Sequence, residues 1–321
     1  MATKFIEFLV IASVLFSVSE AAKAQQKALS RIELSVFRID AAMAAARVRG
    51  LFADEAIDVK ITVTPSSTDQ MRGVSKGVFH LITGAFDNVL AWSGKEGAEI
   101  IVVAQGTNSI LLPLLVRPEI KSWSDLKGKK LAADAVDTAF ALVLRRILLA
   151  HGLDLERGDY ELVSLGSTDK RFESMMRGET FAAILGTPFD SKAEAAGFTR
   201  IADHREVLPD YPGRILAVNR DWAQSHREDV VKFLRAWLAG VRWVKNPANR
   251  EEAIKIVAEE LKLNRQAATE SVDEIAPSAT LNLAGLQSVL DLRNQFGFKL
   301  PMGPDLKAYY DESYYREATG K

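Results

Sequence analysis

The feature that most constrains the fold is a strand–helix–strand unit near the amino end, with a polar loop after each strand. Residues 57–63 read IDVKITV, in which β-branched apolar residues alternate with polar ones. This period of two predicts a β-strand. Ser66 then opens a run of candidate helix N-caps, and the apolar run at 78–83 predicts a buried strand that ends at Gly84. Ligands of open α/β sheets bind at the carboxyl ends of the strands, so these loops form a candidate ligand site.

The same pattern recurs in the middle of the chain. Residues 77–84 and 178–186 both contain a glycine at a helix end, a short strand and a glycine loop. The repeat predicts an α/β protein of two lobes, each an open βαβ sheet, with the ligand cleft between them. The apolar segment at 110–117 contains Pro113, which a central strand does not tolerate easily, so we interpret it as a connection. The predicted bounds are 25–109 plus 216–321 for lobe 1, 118–213 for lobe 2, and 110–117 and 214–215 for the hinge segments.

The first 24 residues have the pattern of a cleaved signal peptide. Lys4 precedes an apolar run at 5–18, and Ala22-Lys23-Ala24 is a small-residue cleavage site. The alternative is a membrane anchor, but a membrane span needs about 20 apolar residues and this run is shorter. The chain contains no cysteine, which is compatible with an oxidising compartment and excludes a lipid-anchored cysteine after cleavage. We therefore predict an exported chain cleaved after Ala24.

Charge and motifs exclude several other functions. The formal net charge is −1 and no dense basic segment occurs, so we predict no nucleic-acid partner. The four histidines are scattered without the spacing of metal ligands, and no phosphate or dinucleotide loop is found. Residues 73–77 match the spacing of a nucleophile elbow, but a helix precedes the serine where an elbow needs a strand. We predict no catalytic residue, no metal and no cofactor.

Four stretches carry a resemblance to a known family. They are GLFADEAIDV at 50–59, IKSWSDLKGKK at 120–130, and the two glycine–strand–glycine repeats. In this order they resemble the periplasmic solute-binding proteins of ABC importers, in the nitrate/taurine/alkanesulfonate-type family that includes binders of thiamine pyrimidine precursors. The resemblance covers about Ser30 to Asn249. Members of that family carry glycine where this chain has Ala56.

The resemblance implies a fold, a function and partners. The implied fold is the class II type of the two-lobed periplasmic-binding-protein fold. The implied function is capture of a small organic solute (sulfonate, carboxylate or N-heterocycle) in the periplasm by a monomer, which delivers it to an ABC permease with its ATPase. The implied protein is not an enzyme. The alternative is an enzyme of the same fold related to pyrimidine-precursor synthesis, whose cysteine-rich motif is missing from this chain.

Candidate ligand-binding residues are the polar and small residues expected at strand ends facing the cleft. They are Asp40, Ser66, Ser67, Thr68, Thr83, Gly84, Ala85, Phe86, Asp87, Gln105, Thr107, Asp134, Asp137, Thr138, Gly186 and Thr187. Thr68 and Asp87 on one lobe, and Asp137 and Thr138 on the other, are the predicted bridging groups. Helix N-termini favour an anionic ligand, but several aspartates and only one nearby cation, Arg38, leave the charge of the ligand open.

Overall fold

The first lobe is built around a five-stranded sheet. The computed structural model describes residues 29–137 and 139–320. The strands of this sheet are β1 (Ser30–Val36), β2 (Ile57–Val63), β3 (Leu81–Gly84), β4 (Ile100–Gln105) and β10 (Ile215–Asn219), in the order β2-β1-β3-β10-β4. Strand β1 pairs in parallel with β2 and β3, whereas β10 runs antiparallel to both of its neighbours. The sheet is thus a parallel βαβ sheet into which a late strand has been inserted.

The second lobe repeats this arrangement. Its strands are β5 (Pro113–Val116), β6 (Lys130–Ala133), β7 (Glu161–Ser164), β8 (Ala182–Ile184) and β9 (Thr199–Asp203), in the order β7-β6-β8-β5-β9. Strand β6 pairs in parallel with β7 and β8, and β5 runs antiparallel to β8 and β9. In each sheet, the fourth strand in spatial order (β10 or β5) is the first strand along the sequence after the chain has crossed from the other lobe.

Helices connect the parallel strands of each lobe. In the first lobe these are α1 (Ala41–Val48), α2 (Leu51–Asp54), α3 (Ser67–Ser75) and α4 (Phe86–Trp92). In the second lobe they are α5 (Ala139–Ala150), α6 (Thr168–Met176) and α7 (Phe189–Ala195). After β10 the chain is helical, with α8 (Arg220–Ser225), α9 (Arg227–Lys245), α10 (Arg250–Leu261), α11 (Arg265–Asp273), α12 (Leu283–Gln295) and α13 (Ser313–Thr319). Short 3₁₀ turns occupy Lys95–Gly97, Trp123–Leu126, His204–Glu206, Pro247–Asn249 and Leu306–Tyr309.

The alanine-rich helix α1 explains how the carboxyl-terminal helices return to the first lobe. Ala41 to Ala46 are all buried, and α9 packs against them with Phe233 and Trp237 in the same core. At Gly240 the two helices approach so closely that an added Cβ would lie 2.4 Å from the carbonyl oxygen of Ala42. Small side chains on both helices therefore permit the close contact that holds α9 against α1.

The structure corrects the predicted connection at 110–117. Residues 113–116 form β5, which is paired on both sides in the second sheet. Pro113 occupies the first position of that strand, where the lack of an N–H does not interrupt the pairing. Likewise Ile215, predicted as part of the second connection, opens β10 of the first sheet. The exact bounds of the two lobes stay a prediction, and the predicted signal peptide at 1–24 lies outside the described residues.

No helix among the described residues has both the length and the low polarity that a membrane span requires.

Candidate functional site

A cleft of about 640 Å³ opens between the two lobes. Its walls are the loops that follow strands β1, β2 and β3 on one side and β6, β7 and β8 on the other. The lining residues are Phe37, Arg38, Val63, Thr64, Pro65, Gly84, Ala85, Asn88, Ile110, Asp134, Ala139, Phe140, Gly166, Ser167, Thr168, Asp169, Lys170, Arg171, Gly186, Thr187, Pro188, Phe189, Lys192, Arg214, Leu261, Lys262 and Leu263. The volume is within the range of small-molecule sites in proteins.

Eight of the predicted site residues lie at this opening. Five of them line the cleft itself, namely Gly84, Ala85, Asp134, Gly186 and Thr187. Three more line a second cavity of about 10 Å³, enough for one water molecule, which has Arg38 and Arg214 in common with the cleft: Asp40, Thr83 and Thr107. The structure thus brings half of the predicted set together, and their contact with a ligand stays a prediction.

Two predicted residues act as helix N-caps in the structure. The Asp40 carboxylate accepts a hydrogen bond from the Met43 N–H at 2.7 Å and one from the Trp237 indole N–H at 3.3 Å. Burial raises the pKa of Asp40. The Ser66 hydroxyl accepts a hydrogen bond from the Asp69 N–H at 3.1 Å and so caps α3. Their side chains satisfy helix N–H groups, which is the usual role of aspartate and serine at such positions.

The next two residues of the same loop, Ser67 and Thr68, form the first turn of α3. Ser67 is fully buried and lies beside Asp134 of the opposite lobe. Burial raises the pKa of Asp134, an effect that Ser67 and Arg171 oppose. The loop also touches the second lobe through its backbone, because a Cβ added to Gly166 would lie 3.3 Å from the carbonyl oxygen of Pro65. The lobes therefore meet at this edge of the cleft.

Phe86 and Gln105 belong to the interior of the first lobe instead of the cleft wall. The Phe86 ring is 1% exposed and packs edge-on against Tyr309, with ring centroids 6.5 Å apart. The Gln105 amide donates to the carbonyl oxygens of Thr107 and Asn108 and accepts from the N–H of Asn282. Both side chains are thus occupied by protein partners, and the expectation that they face the cleft is corrected.

Asp87 forms a buried link between the lobes. Its carboxylate lies 3.1 Å from the Arg293 guanidinium and accepts a hydrogen bond from the Ala139 N–H, where α5 of the second lobe begins. Arg293 also donates to the carbonyl oxygen of Asp137 at 2.9 Å. Asp87 and Arg293 are 1% and 3% exposed, so the pair is closed to solvent. Asp87 was predicted to bridge the lobes through a ligand; in the structure its carboxylate is buried and bonded to protein groups of both sides, and the expectation that it faces the cleft is corrected. Thr138, its predicted counterpart, lies outside the described residues.

A second charged group, which we call the arginine–glutamate cluster, consists of Arg38, Arg214 and Glu274. Both guanidiniums pair with the same carboxylate oxygen of Glu274, Arg214 at 3.2 Å. Both arginines line the cleft, with side chains 16% and 20% exposed. Burial and the neighbouring Arg214 lower the pKa of Arg38. Unlike the Asp87 pair, this cluster is partly open to the space where a ligand would lie.

The cleft carries more positive charge than the sequence indicated. Its basic lining residues are Arg38, Lys170, Arg171, Lys192, Arg214 and Lys262, and its acidic lining residues are Asp134 and Asp169. The expectation of a single nearby cation, Arg38, is therefore wrong. Arg214 was missed because it precedes β10, which is more than a hundred positions from the loops that it faces. The lysines were missed because each is on a helix or turn whose direction the sequence pattern does not define.

The apolar part of the cleft is aromatic. Phe37 comes from the first lobe, and Phe140 and Phe189 come from the second. Arg171 lies over the Phe140 ring at 5.3 Å and donates to the carbonyl oxygen of Ile184 and the hydroxyl of Thr168. Burial lowers the pKa of Arg171 to about 10. Flat apolar surface beside fixed cations suits a ligand with a ring and a negative charge.

Two acceptor atoms at the cleft have no hydrogen-bond partner among the described residues. They are Oδ1 of Asn88, on the first lobe, and Oδ1 of Asp134, on the second. Buried acceptors of this kind are costly unless a ligand or water donates to them. In the described ranges no three His, Asp or Glu side chains are grouped as a metal site would require.

The comparisons with known proteins agree with this architecture. The periplasmic nitrate-binding protein of Synechocystis PCC 6803 is similar over 91% of this chain and 89% of its own, at 14% identity and a TM-score of 0.75. The alkanesulfonate-binding protein of Xanthomonas axonopodis pv. citri, solved with MOPS bound, is similar over 88% of this chain and 99% of its own, at 15% identity and a TM-score of 0.71. These structures show that the chain has the two-lobed periplasmic-binding-protein fold.

Sequence comparison identifies the family. Residues 40–250 match the family described as NMT1/THI5 like, and the chain belongs to it. A formylaminopyrimidine-binding protein of Halalkalibacterium halodurans is 26% identical over 219 residues, which is 65% of this chain and 62% of that protein. The chain spans only 18% of the length of a bicarbonate transport ATP-binding protein that it also matches. The predicted resemblance and the predicted fold class are confirmed.

Proposed function

We propose that this protein is the substrate-binding component of an ABC importer, which captures a small organic solute and delivers it to a permease with its ATPase. The observation that carries the proposal is the cleft of about 640 Å³, because it is walled by strand-end loops of both lobes. Proteins of the same fold are named for binding nitrate and alkanesulfonate, and a relative of this chain for binding a formylaminopyrimidine. The function needs no chemistry, only binding and release.

The charge and shape of the cleft favour an organic anion as the solute. Six basic side chains and two acidic ones line it, so its formal charge is positive, and three phenylalanines supply flat apolar surface. A sulfonate or carboxylate on a ring would meet both features. An N-heterocycle is also compatible, because the Oδ1 atoms of Asn88 and Asp134, which have no partner among residues 29–137 and 139–320, would accept from ring or amino N–H groups.

Closure of the lobes on the solute would signal the loaded state to the permease. A ligand shifts an open–closed equilibrium only by its differential affinity for the two states. Groups from both lobes line the cleft, so a solute that touches both walls gains contacts only in the closed form. Gly84 and Ala85 on one wall, and Gly186 and Thr187 on the other, are the proposed contacts that the sequence had already indicated.

Export and oligomeric state complete the proposal. The apolar leader with its Ala22-Lys23-Ala24 site supports export to the periplasm with cleavage after Ala24. A monomer with a single cleft would be sufficient for capture. Intact-mass measurement of a periplasmic extract should show Gln25 as the first residue, and recovery of the uncleaved chain in membranes would contradict this part of the proposal.

A solute screen tests the function itself. The chain from residue 25 onward is mixed with sulfonates, aromatic carboxylates and pyrimidines, thermal shifts identify binders, and calorimetry measures their affinity. Mass spectrometry of the recovered solute then distinguishes binding from turnover. We expect at least one anionic solute to bind and to be recovered unchanged. Conversion of a bound solute into product would replace the transport function with that of an enzyme of the same fold.

A further inference from the structure

The arginine–glutamate cluster has an unusual balance of charge for a ligand-facing group. Arg38 and Arg214 both donate to one oxygen of Glu274, and the Glu274 side chain is 26% exposed. Each guanidinium has five N–H donors in a fixed fork, and the bond to the shared Glu274 oxygen uses only one of them on each arginine. Both arginines line the cleft, where a solute could receive those donors.

The backbone holds this cluster in place at the point where the chain crosses between the lobes. The Gly106 N–H donates to the carbonyl oxygen of Arg214 at 2.7 Å, and the Arg214 N–H donates to the Thr107 hydroxyl at 2.8 Å. On the other side, Ile275 pairs with Thr107, and the Ala276 N–H donates to the carbonyl oxygen of Gly106. Arg214 and Glu274 therefore lie on two segments that both bond to residues 106–107, and this backbone pairing holds the two side chains opposite each other.

The formal charges of the cluster leave one positive unit for a ligand. Two guanidiniums contribute two positive charges and the Glu274 carboxylate one negative charge. Asp40 lines the small cavity behind the arginines, and its carboxylate accepts hydrogen bonds from Met43 and Trp237. Any charge on Asp40 lowers the available positive charge further. An anion held by the two arginines lies next to Glu274, so a second negative charge on it would be repelled by that carboxylate at short range, although Lys170, Arg171, Lys192 and Lys262 line other parts of the cleft.

We propose that Glu274 determines the charge of the solute, so that the cleft accepts anions with one negative charge and discriminates against those with two. The inference rests on the proposed solute-binding function and makes its ligand class more specific. Glu274 acts on the solute through the two arginines, as a positioning residue that also removes one unit of charge. The chemistry selected is that of a sulfonate or carboxylate monoanion, in contrast to a phosphate monoester.

Two aromatic probes of the same ring size test the charge rule. Benzenesulfonate carries one negative charge, and phenyl phosphate carries close to two at pH 8, because the second pKa of a phosphate monoester is about 6. Calorimetry gives the ratio of their dissociation constants for the wild-type protein and for Glu274→Gln. Glutamine keeps the size and the acceptor oxygen of the side chain, so the arginines retain a partner.

We expect the wild-type protein to bind benzenesulfonate more tightly, and Glu274→Gln to shift the ratio at least about tenfold toward phenyl phosphate, which corresponds to about 1.4 kcal/mol. The matched control is Glu317→Gln, which removes an exposed carboxylate paired with Arg227 and should leave the ratio unchanged. An equal ratio in wild type and Glu274→Gln overturns the inference. If neither protein binds either probe, the inference is also overturned. The transport function is then decided separately, by the pyrimidines of the solute screen.

Discussion

Two groups of charged side chains lie between the lobes, and they differ in what they leave free. The Asp87–Arg293 pair is 1% and 3% exposed, and the remaining bonds of its members go to Ala139 and the Asp137 carbonyl. The arginine–glutamate cluster is 16–26% exposed and shares one carboxylate oxygen between two guanidiniums. The first group is closed to solvent, including the Arg293 Nε, which has no hydrogen-bond partner among the described residues, whereas the second group lies at the cleft, where a ligand can reach it. Exposure to the cleft, more than charge itself, distinguishes the structural bridge from the candidate binding site.

The largest expected effect is on the free energy of unfolding, when the buried Asp87–Arg293 pair is broken. Asp87→Ala leaves Arg293 buried without a counter-charge, which typically costs about 3–5 kcal/mol. We expect urea unfolding to show a loss of that size. A double variant, Asp87→Ala with Arg293→Met, should recover a substantial part because no uncompensated charge remains. If Asp87→Ala keeps the stability of the wild type and loses only solute affinity, Asp87 is a ligand contact after all.

The next effect concerns the open cluster. Arg214→Ala removes a cleft-lining cation while Glu274 keeps Arg38 as a partner. Hydrogen bonds to charged groups contribute about 1.5–3 kcal/mol, so benzenesulfonate should bind more than tenfold more weakly by calorimetry. Stability should fall less than in Asp87→Ala, because the site is partly exposed. Arg227→Ala, which removes an arginine paired with Glu317, serves as the control. Equal weakening by both variants would show a non-specific effect of net charge.

A smaller effect is the pH dependence of stability that comes from a buried histidine. His204 is buried, accepts a hydrogen bond from the Leu112 N–H and packs edge-on against Tyr211. Burial lowers the pKa of His204 from the ordinary histidine value of about 6.5. Below about pH 6.5 the unfolded chain therefore binds the His204 proton more readily than the folded chain does. The stability that neutral His204 contributes is therefore complete above about pH 6.5 and is lost as the pH falls from there toward the lower pKa of the folded state.

Melting temperatures from pH 8 to pH 5 measure this effect. We expect the wild type to lose stability over the lower part of the range, and His204→Gln, whose amide oxygen can still accept from Leu112, to lose less. The pKa of His80 is also lowered by burial. Because both proteins contain His80, it adds the same contribution to the pH dependence of stability in each. Identical slopes for wild type and His204→Gln would exclude His204 as the cause.

Local sequence patterns were sufficient to predict the fold class. The alternation at 57–63 became β2, and the two glycine–strand–glycine repeats became β3 and β8 of two sheets with the same strand order. The segment at 113–116 was misassigned because its pairing partners, β8 and β9, come much later in the chain. Pairing across the sheet is a tertiary property, and it overrode the local effect of Pro113.

The site could be predicted only in part, for a similar reason. Loop glycines and Asp134 lie at the cleft because the carboxyl end of a parallel strand fixes where its loop begins. The sequence does not show whether a polar residue there finds a protein partner first, as Asp87 does with Arg293 from α12. Arg214 and Glu274 had no local signal, because their meeting depends on two distant segments that both pair with residues 106–107.

The most direct test of solute capture between the lobes is a distance measurement across the cleft. The chain has no cysteine, so Asp58→Cys on β2 and Glu161→Cys on β7 give two unique sites for spin labels. Both positions are exposed and lie at the strand ends away from the cleft loops. Electron spin resonance then compares the distance distribution with and without the tightest-binding solute of the screen. Capture between the lobes predicts a shift to one narrow distance on addition of solute, lost in Arg214→Ala at the same solute concentration. An unchanged distribution at saturating solute would contradict it.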